Sequence, residues 1–152
     1  MSRNWFLFMG LLGLTACTSN LAVIEVDMII RDGGVAQMTA LRDILTSVNL
    51  VCEIDGSDDP VLSCTSDGTE SEIKTANAAV EDGYIDVRFP YEASAGVFGA
   101  GEPKFDNDFL FSFESVLSKM IPLGAERVRL HGFDQKSREY ISASSFTVDY
   151  LN

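Results

Sequence analysis

Basic residues, histidine and cysteine are all scarce in this 152-residue chain. Its 11 lysines and arginines face 23 acidic residues, for a formal charge of −12. The acids run along the whole sequence rather than forming a tail. A surface this acidic repels nucleic acid and anionic headgroups, so nucleic acid is excluded as a partner. It suits a solvated domain, a basic partner or a saline habitat. His131 is the single histidine, and Cys17, Cys52 and Cys64 are the three cysteines. A metal pair of Cys52 and Cys64 would lack the two further Cys or His ligands of a structural zinc site once Cys17 is set aside, since His131 is the only histidine. Beyond residue 16 no apolar run approaches the ~20 residues needed to span a bilayer. There is no internal repeat, low-complexity run or second domain boundary.

The N-terminus differs in character. Arg3 supplies a short positive start, Trp5 to Leu14 carries no charge, and Leu14-Thr15-Ala16-Cys17 closes the run with small residues before a cysteine. This is the layout of a secretory signal, and its apolar run of about ten residues is too short to be a spanning helix. The segment Leu14-Thr15-Ala16-Cys17 resembles the lipobox of bacterial lipoproteins. The resemblance implies cleavage before Cys17, diacylglycerol on the Cys17 sulfur and a further acyl chain on its amine. Several acyl chains hold a soluble domain on a membrane without a spanning helix, since each buried methylene contributes ~0.8 kcal/mol. Thr18 stands where an aspartate resembles an inner-membrane retention signal, so the resemblance points to the outer membrane. The expected organisation is a signal over 1–16, a lipidated tether over 17–21 and one soluble domain over 22–152, large enough for a real core.

With Cys17 assigned to lipid, Cys52 and Cys64 remain, and in an oxidising compartment they are expected to form a disulfide. Alternation supports a hairpin around them. Val48, Leu50, Cys52 and Ile54 share one face, residues 56–60 turn, and Val61 to Cys64 returns. Further strands are expected over 22–30, 73–80, 84–89 and 127–131, where apolar residues recur with period two. Pro90 is expected to end its strand or mark an edge. Phe109, Phe111 and Phe113 also alternate, as does 139–150. Residues 35–47 fit either a helix or a bulged strand. About seven short strands separated by turns predict a mostly β fold, an antiparallel β-sandwich with a disulfide hairpin. If 35–47 and 115–123 are both helical, the fold is α+β instead.

Candidate chemistry is sparse. His131 would need a nucleophile and an orienting carboxylate to catalyse, and no nucleophile-elbow motif is present, so a solvent-facing or edge histidine is expected. The acidic runs 55–59 and 106–108 contain oxygen ligands but lack the spacing and late glutamate of a calcium loop. Aspartate, glycine and serine are also what turns are made of. The glycine-rich run 95–101 lacks the Gly-Lys-Ser/Thr ending of a phosphate loop. Its Val97 and Phe98 could instead contact a partner or fold over the core. Val128 to Asp134, with Val148 to Leu151, is similar to part of the OmpA-like peptidoglycan-binding domain. That family's ligand-binding arginine has no match after Arg138. No catalytic residue, metal or cofactor is expected. The expected function is a lipid-anchored, non-enzymatic envelope domain that binds a protein partner or supports an envelope assembly. A small-ligand, glycan or peptidoglycan binder is the alternative, and an envelope hydrolase the rival class.

Overall fold

The computed structural model describes residues 20–31, 34–56, 59–68, 71–93, 104–132 and 140–147. Cys17, Val97 and Phe98 lie outside them. The elements run β1 (Asn20–Ile29), α1 (Val35–Thr46), β2 (Leu50–Asp55), β3 (Val61–Ser66), β4 (Thr75–Glu81), β5 (Tyr84–Ala93), α2 (Asn107–Met120), β6 (Ala125–Gly132) and β7 (Ile141–Ser142). Short 3-10 turns follow α2 at Ile121–Leu123 and β7 at Ala143–Ser145. None of the described helices is long and apolar enough to cross a membrane.

The seven strands form one open sheet in the order β2-β3-β4-β5-β1-β6-β7, and every pairing is antiparallel. The expected antiparallel β architecture and its disulfide hairpin are therefore present. The second layer is not another sheet: α1 and α2 provide it, which is the α+β arrangement. Their burial explains why. In α1, Met38, Leu41 and Leu45 are buried, and in α2, Phe109, Leu110, Phe113, Val116, Leu117 and Met120. Both sets have the three- and four-residue spacing of a helix stripe. They pack with Ile24, Val26, Met28, Ile85, Val87 and Phe89 in one core. The opposite face of the central strands carries charge and could not bury a second sheet without large desolvation costs.

Several local expectations change accordingly. Phe109 to Phe113 is helical, not a strand: Asp106 caps α2 by accepting from the Asp108 amide at 2.7 Å, a geometry worth about 1 kcal/mol. The acidic run 106–108 is thus a helix start. Within 139–150 the described strand is only Ile141–Ser142, before the chain turns to bury Phe146. Strand β1 begins at Asn20, inside the expected tether. Strand β5 continues through Pro90 to Ala93. Pro90 is tolerated because the β4 ladder stops at Arg88, leaving only β1 paired alongside it.

Cys52 and Cys64 are directly opposed in the β2–β3 ladder and are bonded, with Cα atoms 4.1 Å apart. The bridge pins the outer strand to its neighbour.

Gln37 ties the end of β1 to α1 and the 3-10 turn. Buried at the start of α1, it donates from Nε2 to the Ile29 and Leu123 carbonyls at 2.8 and 2.7 Å. Its Oε1 accepts from the Arg31 amide at 2.5 Å. One side chain thus satisfies three backbone groups where β1, α1 and the 3-10 turn meet. Gln37→Leu is expected to cost about 2–3 kcal/mol, because an unsatisfied buried polar group costs ~1–3 kcal/mol. Urea denaturation with an unchanged m-value measures it.

Candidate functional site: a paired-charge network on the open sheet face

Alternation along the three central strands sends the apolar residues to the helices and the charged ones to the other face. On β1 these are Glu25 and Asp27, on β5 Asp86 and Arg88, and on β6 Arg127, Arg129 and His131. Register then sets their contacts. Arg88 and Arg129 flank Glu25 from the two neighbouring strands, while Asp86 and Arg127 flank Asp27. A bulge beyond Asp27 skips Glu126 and ends this alignment.

The carboxylates lie beneath, and the arginines and His131 above. Glu25, Asp27 and Asp86 are only 5–6 % exposed, whereas the Arg88, Arg127, Arg129 and His131 side chains retain 28–48 %. Arg129 donates to Glu25 from Nε at 2.9 Å and from Nη2 at 2.6 Å. His131 Nε2 is bonded to the same carboxylate. Arg127 donates to Asp27 at 2.6 Å, and Arg88 lies 2.5 Å from Asp86. Aromatic rings cover the guanidinium groups. The Tyr140 ring sits 4.2 Å from Arg127 and 4.6 Å from Arg129, and Tyr84 is 4.7 Å from Arg127. These are cation–π distances.

The electrostatics follow from that geometry. Burial opposes ionisation of Glu25, but the His131 and Arg129 hydrogen bonds outweigh it and hold its pKa below the ordinary carboxylate value. Burial and the nearby charge of Asp27 push the Tyr140 phenol up. Three carboxylates this close form a donor set suited to a divalent cation. Here each already carries a guanidinium, so an incoming cation would have to displace one. The arrangement suits presentation of oriented guanidinium and imidazole edges, backed by fixed carboxylates.

His131, singled out from the sequence, falls within this network and is partly solvent-facing. Its partner is Glu25 rather than a serine or cysteine. Sequence reasoning missed Glu25, Asp27, Asp86, Arg88, Arg127, Arg129 and Tyr140. Each strand showed one polar face, and a polar face reads as solvated until its neighbours are known. A cleft of about 640 Å³ lies elsewhere, lined by Leu21, Lys74, Pro90, Tyr91, Asp106 and Phe109 among others. Two of its polar groups already serve the fold: Lys74 donates to the Ser71 carbonyl, and Asp106 caps α2.

Searches of family models, curated proteins and solved structures found no match to this chain.

Proposed function

We propose that this protein is a lipid-anchored cell-envelope domain, held through Cys17 at the outer membrane, that works by binding rather than catalysis. Its partner is an envelope protein presenting carboxylates to the open face of the central strands. The observation that carries the reading is the concentration of exposed cations on that face of a chain with charge −12. Arg88 and Arg129 are partly exposed there beside Tyr140, and arginine and tyrosine are enriched where interfaces carry most of their energy. Two residues, Thr18 and Ser19, stand between Cys17 and the start of β1 at Asn20, so the chain between them can span at most ~10 Å.

A second reading is supported by a shallow depression of about 440 Å³ lined by Arg127, Tyr140, Ser142 and Ser144. An aromatic ring beside hydroxyls and a guanidinium suits a glycan or another small polar ligand.

Cys17→Ala is expected to move the protein from the membrane fraction to the soluble fraction and to abolish incorporation of labelled fatty acid. Unchanged fractionation would remove the anchor from the proposal. In-cell crosslinking followed by mass spectrometry then tests the partner. One dominant envelope protein, lost in Arg129→Glu, supports the protein-binding reading. Capture of glycan strands instead favours the second.

A further inference from the structure

The three buried carboxylates are unequally compensated. Glu25 has Arg129 and His131, and Asp27 has Arg127. Asp86 has Arg88 on Oδ2 at 2.5 Å, but Arg88 also reaches Glu81 at 3.3 Å and Glu25 at 3.8 Å. The second oxygen of Asp86, Oδ1, is buried and has no hydrogen-bond partner among the described residues. Asp86 is also the direct cross-strand partner of Asp27. One oxygen from each of Glu25, Asp27 and Asp86 lies within 4.8 Å of the others. Carboxylates buried this close resist ionising together, and a buried acceptor without a donor is costly. A proton on Oδ1 relieves both problems, because it removes one charge from the cluster and a neutral carboxyl is far less costly to bury than a carboxylate.

We propose that Asp86 is a proton-binding site, protonated at Oδ1 in mildly acid conditions, and that release of this proton changes the charge of the open sheet face. With the proton bound, the cluster carries one negative charge fewer and Arg88 keeps Glu81 and Glu25 as its charged neighbours. Without it, Arg88 is drawn onto Asp86. The described groups facing Asp86 are Glu25 and Asp27 from β1, Tyr84 and Arg88 from its own strand, and Glu81 from β4. Beyond β1 lie Arg127, Arg129 and His131 of β6, with Tyr140 over them. Burial, then the charge of Glu25, raises the Asp86 pKa from 3.8 to about 6, with Arg88 pulling the other way. That is about a hundredfold tighter proton binding than an ordinary aspartate shows. The proposal needs no partner and is independent of the binding function.

The sign of the pH dependence follows. A folded pKa above the unfolded one means that stability is lost as pH rises from about 4 through about 6. The test uses the full chain, comparing wild type with Asp86→Asn by thermal melting from pH 4 to pH 8. Carboxyl ¹³C NMR is run alongside, with the Asp86 signal assigned by its loss in the variant. The wild-type signal should titrate near pH 6. The variant should melt higher than wild type at pH 8, converge with it toward pH 4, and lose most of the fall between. Histidine also changes charge in this range, so His131→Asn serves as the control and should retain the fall. A midpoint below about 4.5, or a variant melting below wild type at pH 8, would make Asp86 an ionised anchor for Arg88 and overturn the proposal. So would calcium or magnesium raising the melting temperature of wild type but not of Asp86→Asn, since the site would then take a metal cation.

Discussion

Phe113→Ala should lower stability by about 3–5 kcal/mol, the cost of removing a large aromatic from a closed core. Phe113 is fully buried on α2. Its ring meets Phe89 of β5 edge-on at 5.2 Å and Phe146 at 5.5 Å, so it joins the sheet, the helix and the segment after β7. Edge-to-face pairs of this kind add about 0.5–1.5 kcal/mol beyond their buried area. For a chain of this size the melting temperature should fall by about 8–15 °C. Phe111, two residues earlier, is 64 % exposed, and Phe111→Ala should change stability by less than about 0.5 kcal/mol. Calorimetry of the two variants checks the contrast. Equal losses would mean that Phe111 and Phe113 share a face, as they would in a strand.

The second large effect is expected at Glu25, where Glu25→Ala should cost about 2–4 kcal/mol at pH 7 by leaving its hydrogen-bonded partners unpaired. Arg129 and His131 would both lose their acceptor. Both can turn partly to water, which keeps the loss below that of a fully enclosed pair. Glu25→Gln retains an acceptor without the charge and should lose about half as much. The pH dependence separates charge from packing. Glu25 has a folded pKa below its ordinary value of 4.5, so its contribution is present above that pH and fades as pH falls through the folded value. The gap between wild type and Glu25→Gln should therefore be widest at pH 6–8 and narrow below pH 4. Denaturation across that range measures it, and a constant gap would show that ionisation of Glu25 contributes nothing. Because Glu25 is a source of the upward push on Asp86, Glu25→Gln should also lower the Asp86 midpoint.

Much of the sheet was legible in the sequence. Ala22, Ile24, Val26 and Met28 alternate with Val23, Glu25 and Asp27, and the buried and polar faces of β1 follow that alternation. The hairpin and its cysteine pair were legible for the same reason, since both arms and their turn are close in sequence. The second layer was harder to read. Phe109, Phe111 and Phe113 imitate a strand, while Leu110, Val116, Leu117 and Met120 place the stripe of a helix over the same stretch. Residues 35–47 carried both periods, and burial against the sheet made them helical.

The charge network was not legible at all. Arg127 and Arg129 meet Asp27 and Glu25 across separations of 100 and 104 residues. A one-residue slip in register would turn each of these side chains to the other face. The sequence alone therefore determined an acidic chain, its strand faces and its cysteine hairpin, because each is a local pattern. Tertiary structure decided which layer covers the sheet and which charges meet on the open side. Those outcomes depend on distant strands becoming neighbours, and no local period records that.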